Sequence, residues 1–220
     1  MENISRNLYR AAVDADQLEN LKKGAQADAA VVRAMINDGK VLGLSLYAWE
    51  QHVFLYYETV DSEVKPGELL PQAETSLKDW PGEKDARKWV PLMDVFHFNA
   101  PAGLEHWKRK APVEKHLGKI GMLKPDRIQN YVFYHYALQE ERAFGGDKYQ
   151  ILGINENILF AYMEAPTVQE DPVVEPKLHT HVVPENWADA GISPSFIPWA
   201  DKVGTPQERL RDMDEIISVW

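Results

Sequence analysis

At 220 residues, with 45% hydrophobic and 26% charged side chains, the chain can bury one large core or two small ones and has an ordinary globular composition. A formal net charge of −10 opposes a nucleic-acid backbone, and the absence of cysteine excludes disulfides, thiolate metal ligands and a thiol nucleophile. No apolar run approaches the ~18 residues of a membrane span, and MENISRNLYRAAV has no basic-then-apolar signal region, so a cytoplasmic protein without membrane or nucleic-acid partners is expected.

Residues 7–13 (NLYRAAV) read as a short strand. Asp14 stands where an N-cap belongs, with Gln17 three residues on, the spacing of a capping box. Leu18, Leu21, Ala25, Val32 and Ile36 follow at helical intervals, and Gly39 is placed to end that helix. LGLSLYAWEQHVFLYYE (42–58) reads as a hairpin. Pro66 opens a second helix with Leu70, Ala73, Leu77 and Trp80 on one stripe, broken by Pro81-Gly82. LMDVFHF (92–98) alternates as a fourth strand, which completes the β-α-β-β-α-β order of a ferredoxin-like unit.

Residues 101–127 read as a connector with a basic cluster interrupted by Glu105, Glu114 and Asp126, a solvated stretch or an anion site. IQNYVFYHYALQ (128–139) reads as a strong strand that opens a second half. AFGGDK (143–148) leaves room for one helical turn at most, and LGINENILFAYME (152–164) is a second hairpin. Residues 166–187 are proline-rich and acidic, an irregular surface excursion. Pro194 to Trp199 and residues 205–212 read as helical, and MDEIISVW (213–220) closes the chain as a strand echoing MDVFHF.

The two hairpins repeat about 110 residues apart, and their second strands align without a gap: Phe54 on Phe160, Tyr56 on Tyr162, Glu58 on Glu164. The fold class expected is α+β, two ferredoxin-like halves forming an intrachain dimeric α/β-barrel-type arrangement. Its parts are a first half at 1–100, a connector at 101–127 and a degenerate second half at 128–220 that has lost its first helix. A sheet with helices on one face needs a partner for the other, so the default pocket lies between the two sheets of a monomer or homodimer.

The strand-helix-hairpin order, HVFLYYE, Trp89, Met93 and Phe96, with Phe160, Tyr162, Trp199 and Met213 in comparable places, resemble the L-rhamnose mutarotase family of the dimeric α/β-barrel superfamily. The resemblance implies cofactor-independent interconversion of sugar anomers by acid–base catalysis, with aromatic rings packed on the sugar. It also implies a Tyr and a His about one turn apart on the first helix of the unit. The helix read here carries Leu21 and Ala25 instead, and the second half as read has no such helix.

The candidate catalytic residues are His135, His97 and Glu164; the candidate substrate-binding residues are Arg10, Tyr56, Trp89, Tyr134, Tyr162 and Trp199. Sliding the two first strands together sets His135 against Arg10, and a neutral imidazole beside a cation in an apolar cavity is suited to a sugar hydroxyl or a carboxylate. His97 could enter the same cavity from the fourth strand, and Glu58 or Glu164 could serve as a general base if burial raises its pKa. His179-Thr180-His181 has the spacing of a metal pair on a strand but lies in a proline-rich loop, so no metal is expected. No nucleotide, P-loop, nucleophile-elbow or zinc-protease motif is present. The function expected is therefore a small-molecule enzyme acting on a carbohydrate without a cofactor; a non-catalytic binding or structural protein is the alternative.

Overall fold

The computed structural model describes residues 2–81, 85–141, 145–173 and 175–220. In chain order the first elements are β1 (Ile4–Ala12), α1 (Leu18–Asn37), β2 (Val41–Trp49), β3 (His52–Val60), the single turns α2 (Pro66–Leu69) and α3 (Pro71–Glu74), β4 (Val90–Pro91), β5 (Met93–His97) and α4 (Leu104–Trp107). Then come β6 (Lys115–Leu123), α5 (Ile128–Glu141), β7 (Gly146–Asp147), β8 (Ile151–Asn155), β9 (Ile158–Ala165), β10 (Gln169–Glu170), β11 (Phe196–Ile197), β12 (Arg211–Asp212) and β13 (Asp214–Val219). The chain divides into two compact units: residues 1–92, 101–108 and 213–220, and residues 93–100 and 109–212.

Each unit holds one antiparallel sheet. In the first, the order β4-β1-β3-β2 is the ferredoxin-like arrangement, with β13 added beside β2. In the second, β6-β9-β8 repeats it, β11 and β12 stand in the place of β4, and β5 is added beside β8. The α+β fold of two ferredoxin-like halves expected from the sequence is what the chain adopts. The boundaries 1–100, 101–127 and 128–220 do not describe its units, because MDVFHF and MDEIISVW each pair in the sheet of the other half.

The reading of 128–139 as a strand is corrected: it lies in α5, and the true first strand of the second unit is β6, inside the supposed connector. The second half has therefore kept its first helix. Ile128, Tyr131, His135 and Leu138 recur at three- and four-residue spacing, and the last three are buried. Pro125 heads a single 3-10 turn (Pro125–Arg127) that leads into α5, as Ala15–Gln17 leads into α1. Aligned on these turns, β1 matches β6, Leu18 matches Ile128, Leu21 matches Tyr131 and Ala25 matches His135. The strand registers agree: Arg6 faces Glu58 and Arg10 faces Phe54, while His116 faces Glu164 and Ile120 faces Phe160.

Smaller expectations also change. Asp14 does not cap with its side chain, which instead takes Lys78 Nζ at 2.8 Å; only its carbonyl accepts the Gln17 N–H. The helix expected from Pro66 is two separate turns, because Pro71 starts a new one. Phe196–Ile197 is a strand rather than helix, and 211–212 is β12. Gly82, Ala143 and Phe144, part of the expected turns, lie outside the described residues.

In the first unit α1 buries Leu21, Ala25, Ala29 and Val32 against Leu44, Leu46, Leu55 and Tyr57. Gly24 allows α3 to approach closely: a Cβ there would lie 2.8 Å from Ala73 N and 2.9 Å from Ala73 Cα. Asp28, fully buried one turn further on, accepts the N–H groups of Gln72 (2.9 Å) and Ala73 (2.9 Å) at the start of that turn. In the second unit Tyr131 and Leu138 of α5 pack with Phe96, Leu152, Leu159, Ala161 and Phe196.

Candidate functional site

The second unit contains a cavity of about 530 Å³, within the range of small-molecule sites. Three pieces of chain wall it: Tyr131 and His135 from α5; Trp187 at the end of the excursion with Ile192 and Ser193 just after it; and Thr205, Glu208, Arg209 and Leu210 from the run into β12. Gln150, Leu152 and Phe196 complete it. Phe196 and Leu210 reach so near the sheet that a Cβ on Gly121 would meet each at 3.0 Å.

His135 sits within a ring of aromatics. Its imidazole stacks on Tyr131 at 4.0 Å between centroids and meets the edges or faces of Phe96 (5.6 Å) and Trp187 (5.3 Å) at steep angles. Nδ1 lies 2.8 Å from the Tyr131 carbonyl, which has only lone pairs, so Nδ1 carries the proton and donates. The tautomer is thereby set, and Nε2 keeps its lone pair. Burial pushes the His135 pKa down to about 4, against the smaller opposing effect of that hydrogen bond, so the ring is neutral at pH 7. Burial likewise raises the pKa of Tyr131, which stays a phenol.

A second arrangement occurs in both units, on β3 and β9. Tyr56 donates to Glu58 Oε1 at 2.6 Å and accepts from Arg6 Nε at 2.9 Å, while Trp107 Nε1 donates to the same carboxylate oxygen at 2.9 Å. In the second unit Tyr162 donates to Glu164 Oε1 at 2.8 Å, His116 Nδ1 is 2.8 Å from the Tyr162 oxygen, and Arg109 Nη2 donates to Glu164 Oε1 at 2.6 Å. With the phenol's proton committed to Glu164, His116 Nδ1 must be the donor. Both carboxylates are buried and both are charge- or hydrogen-bond-compensated, which is the condition for keeping them in the interior.

The sequence-derived site residues thus scatter. Only His135 lines the cavity. Tyr56 belongs to the first Tyr–Glu pair, and Tyr162 and Glu164 form the second. Arg10 is not the counterpart of His135 and does not line its cavity; its guanidinium lies over Trp80 at 4.9 Å and 3.4 Å from His52 Nδ1. His97 Nδ1 is bound to Asp94 at 2.7 Å and its N–H to Gln139 at 2.8 Å. Trp89 donates to Glu74 at 3.2 Å and lines a separate cleft of about 860 Å³ in the first unit. Tyr134 is half-buried beside Phe133, and Trp199 lies 5.6 Å from the Arg211 guanidinium. His179 and His181 are not in a strand, and among the described residues no group of three His, Asp or Glu stands close enough to hold a metal ion.

Sequence reasoning missed Tyr131 as a helical partner of His135, placed Arg109 only within a basic cluster read as a solvated stretch or an anion site, and missed His116, Trp187 and Arg209 altogether. The usable signal was the pairing of KHLGKIGML with ISRNLYRAA through the polar turn ahead of each helix.

No family model matches the chain, and no curated protein matches it. Two solved crystal structures, each named for a candidate monooxygenase, resemble it at low similarity. One, from Lactobacillus acidophilus NCFM, has a TM-score of 0.43 and 6% identity, covering 99% of this chain and 96% of that one. The other, from Fusobacterium nucleatum, has a TM-score of 0.41 and 14% identity, covering 98% and 93%. Among the described residues no helix is long and apolar enough to cross a membrane.

Proposed function

We propose that the second unit binds a small carbohydrate in the His135 cavity and exchanges protons with it without a cofactor, as in mutarotation. The observation that carries this reading is the Tyr131–His135 pair, one turn apart on the first helix of its unit and stacked at 4.0 Å in a cavity wall. The resemblance to L-rhamnose mutarotases implies such a pair, and Leu21 and Ala25 are its silent counterparts in the first unit. Opening a hemiacetal removes the proton of the anomeric hydroxyl and delivers one to the ring oxygen as the ring C–O bond breaks; closing on the other face reverses both transfers. His135 Nε2 has the lone pair for the first transfer, and the Tyr131 phenol has the proton for the second. The aromatic wall suits the apolar face of a sugar.

A second reading, binding without catalysis, is favoured by the depth of His135. A base held near 4 is well below the pKa that serves proton transfer best at neutral pH. Saturation-transfer NMR of anomer exchange separates the two. Catalysis predicts that the wild type accelerates exchange of L-rhamnose or D-galactose and that His135→Ala slows it by roughly 10²- to 10⁴-fold while the fold persists. Binding without acceleration selects the second reading. A protein that neither binds nor accelerates any sugar refutes both.

A further inference from the structure

Arg209 gives the same cavity a charge preference that the Tyr131–His135 pair does not supply. It lies on the run from Gly204 to Leu210 that forms one wall, and it is exposed. Among the described residues its guanidinium has no carboxylate partner, whereas Arg109, Arg211 and Lys148 are each paired with an acid. The one carboxylate in the cavity wall, Glu208, is turned to the Gly204 N–H at 2.9 Å. Its neighbour is held in place by the sheet: the Arg209 carbonyl packs 3.1 Å from where a Gly121 Cβ would be, so the chain bearing Arg209 runs flush against β6. Trp187 adds an indole N–H with no hydrogen-bond partner among the described residues. The wall therefore combines a cationic donor at Arg209 and the Trp187 indole with a neutral acceptor at His135 Nε2 and the uncharged polar groups of Gln150, Ser193 and Thr205.

That set matches a ligand with an anionic oxygen at one end and a hydroxyl at the other. A neutral sugar would leave the guanidinium to water, whereas a carboxylate could take it bidentately, the geometry in which Arg is strongest. Resting on the carbohydrate reading above, we propose that the ligand of this cavity is a sugar acid, its carboxylate read by Arg209 and its hydroxyl by His135. Arg209 is then the residue that sets specificity, and catalysis stays with the helix.

The test uses matched pairs that differ in one group: D-galacturonate against D-galactose, and D-glucuronate against D-glucose. Binding to the full chain is followed by the His135 and Trp187 ring resonances. The uronates are expected to bind at least about tenfold more tightly than the neutral sugars. Arg209→Gln should erase that difference by weakening the uronates far more than the neutral sugars, and Arg209→Lys should keep part of it because a point charge replaces the fork. Equal affinity within each pair, or an Arg209→Gln change that weakens both members alike, overturns the sugar-acid assignment and leaves the carbohydrate reading standing. If none of the four moves either ring resonance, the carbohydrate reading and this one fall together.

Discussion

The two units share a strand order yet treat the space over their first helix in opposite ways. In the first unit α1 meets α3 backbone to side-chain-free backbone at Gly24, and Asp28 ties down the N–H groups of Gln72 and Ala73, so α1 lines no cavity there and the unit's cleft lies beyond that turn, along Pro66, Pro71, Glu74 and Trp89. In the second unit α5 presents Tyr131 and His135 at the positions of Leu21 and Ala25, and the chain beyond it forms walls rather than a plug. The difference shows how one supersecondary unit serves as a structural body and as a pocket: small residues on the helix admit a packed turn, whereas large rings hold the covering segment off. The Tyr–Glu pairs, by contrast, persist in both units with only their partners changed, Arg6 and Trp107 in one and His116 and Arg109 in the other.

The sharpest way to break the comparison is to open the α1–α3 contact of the first unit. Asp28→Ala leaves the buried Ala73 N–H and the part-buried Gln72 N–H without their acceptor, and each such loss costs roughly 1.5–3 kcal/mol. A total of about 3–5 kcal/mol is expected, read as a drop in the urea midpoint at unchanged m-value. A loss under about 1 kcal/mol would mean that the α1–α3 clamp does not hold that turn on the helix. Gly24→Val should act in the same direction, because its Cβ collides with backbone that cannot rotate away.

The second unit should be distinguished by acid. The folded His135 pKa of about 4 lies below the unfolded value near 6.5, so between these pH values the unfolded chain holds a proton that the folded chain does not. Stability due to this group is full above about pH 6.5, falls as pH drops through the window, and stops falling below about pH 4. The expected loss is on the order of 3 kcal/mol. His135→Phe keeps an aromatic ring among Tyr131, Phe96 and Trp187 but cannot titrate. The measurement is the difference in unfolding free energy between wild type and variant at pH 7 and pH 4.5, which cancels the carboxylates common to both. Parallel pH curves for the two proteins would show that His135 is solvated.

What the sequence made legible follows the same division. Both hairpins, α1 and its buried stripe were readable because apolar residues there recur with one period and Gly39 marks an end. The helix α5 was not, because YVFYHYA alternates aromatics as a strand would while also placing Tyr131, His135 and Leu138 on a helical stripe. Phe133 and Tyr136 remain about half exposed, at 52% and 50%, so hydrophobicity alone does not mark the buried face. Pro125, one turn ahead of Ile128, was the discriminating residue. The exchange of β5 and β13 was beyond local reasoning, since strand pairing across such separations leaves no trace in either segment. His135 was found as a residue and misplaced as an element, which is why its proposed partner Arg10 proved to be elsewhere.

A smaller effect tests whether the Tyr–Glu pairs are equivalent. Tyr56→Phe and Tyr162→Phe each remove one hydroxyl from a carboxylate that keeps another donor, Trp107 or Arg109. About 1–2 kcal/mol is expected for each. The two losses should agree within about 1 kcal/mol, because Glu164 keeps Arg109 and Glu58 keeps Trp107 when the hydroxyl is gone. A loss at Tyr162 larger by more than that would identify the bond between His116 and the phenol as the stronger element of its chain.

The smallest expected effect concerns the excursion that walls the cavity. Glu141, at the end of α5, accepts the Val182 N–H at 3.2 Å, the Val183 N–H at 3.3 Å and the Thr180 hydroxyl. The N–H groups of Lys177 and Leu178 bond to the Glu140 carbonyl one residue earlier. Trp187 and Ile192, which face the cavity, follow this tether in the chain. Glu141→Ala removes three side-chain-mediated bonds at an exposed site, where each is worth little to global stability. The melting temperature should therefore move by no more than about 2 °C. Local opening is another matter, because segments held by few bonds exchange through motions far below the global unfolding free energy. Amide hydrogen exchange at Val182 and Val183 should accelerate several-fold, with β8 and β9 unchanged. If exchange at those two amides is unaltered, the wall is held by Trp187 packing on His135 at 5.3 Å rather than by Glu141. In that case Trp187→Ala should release it where Glu141→Ala did not.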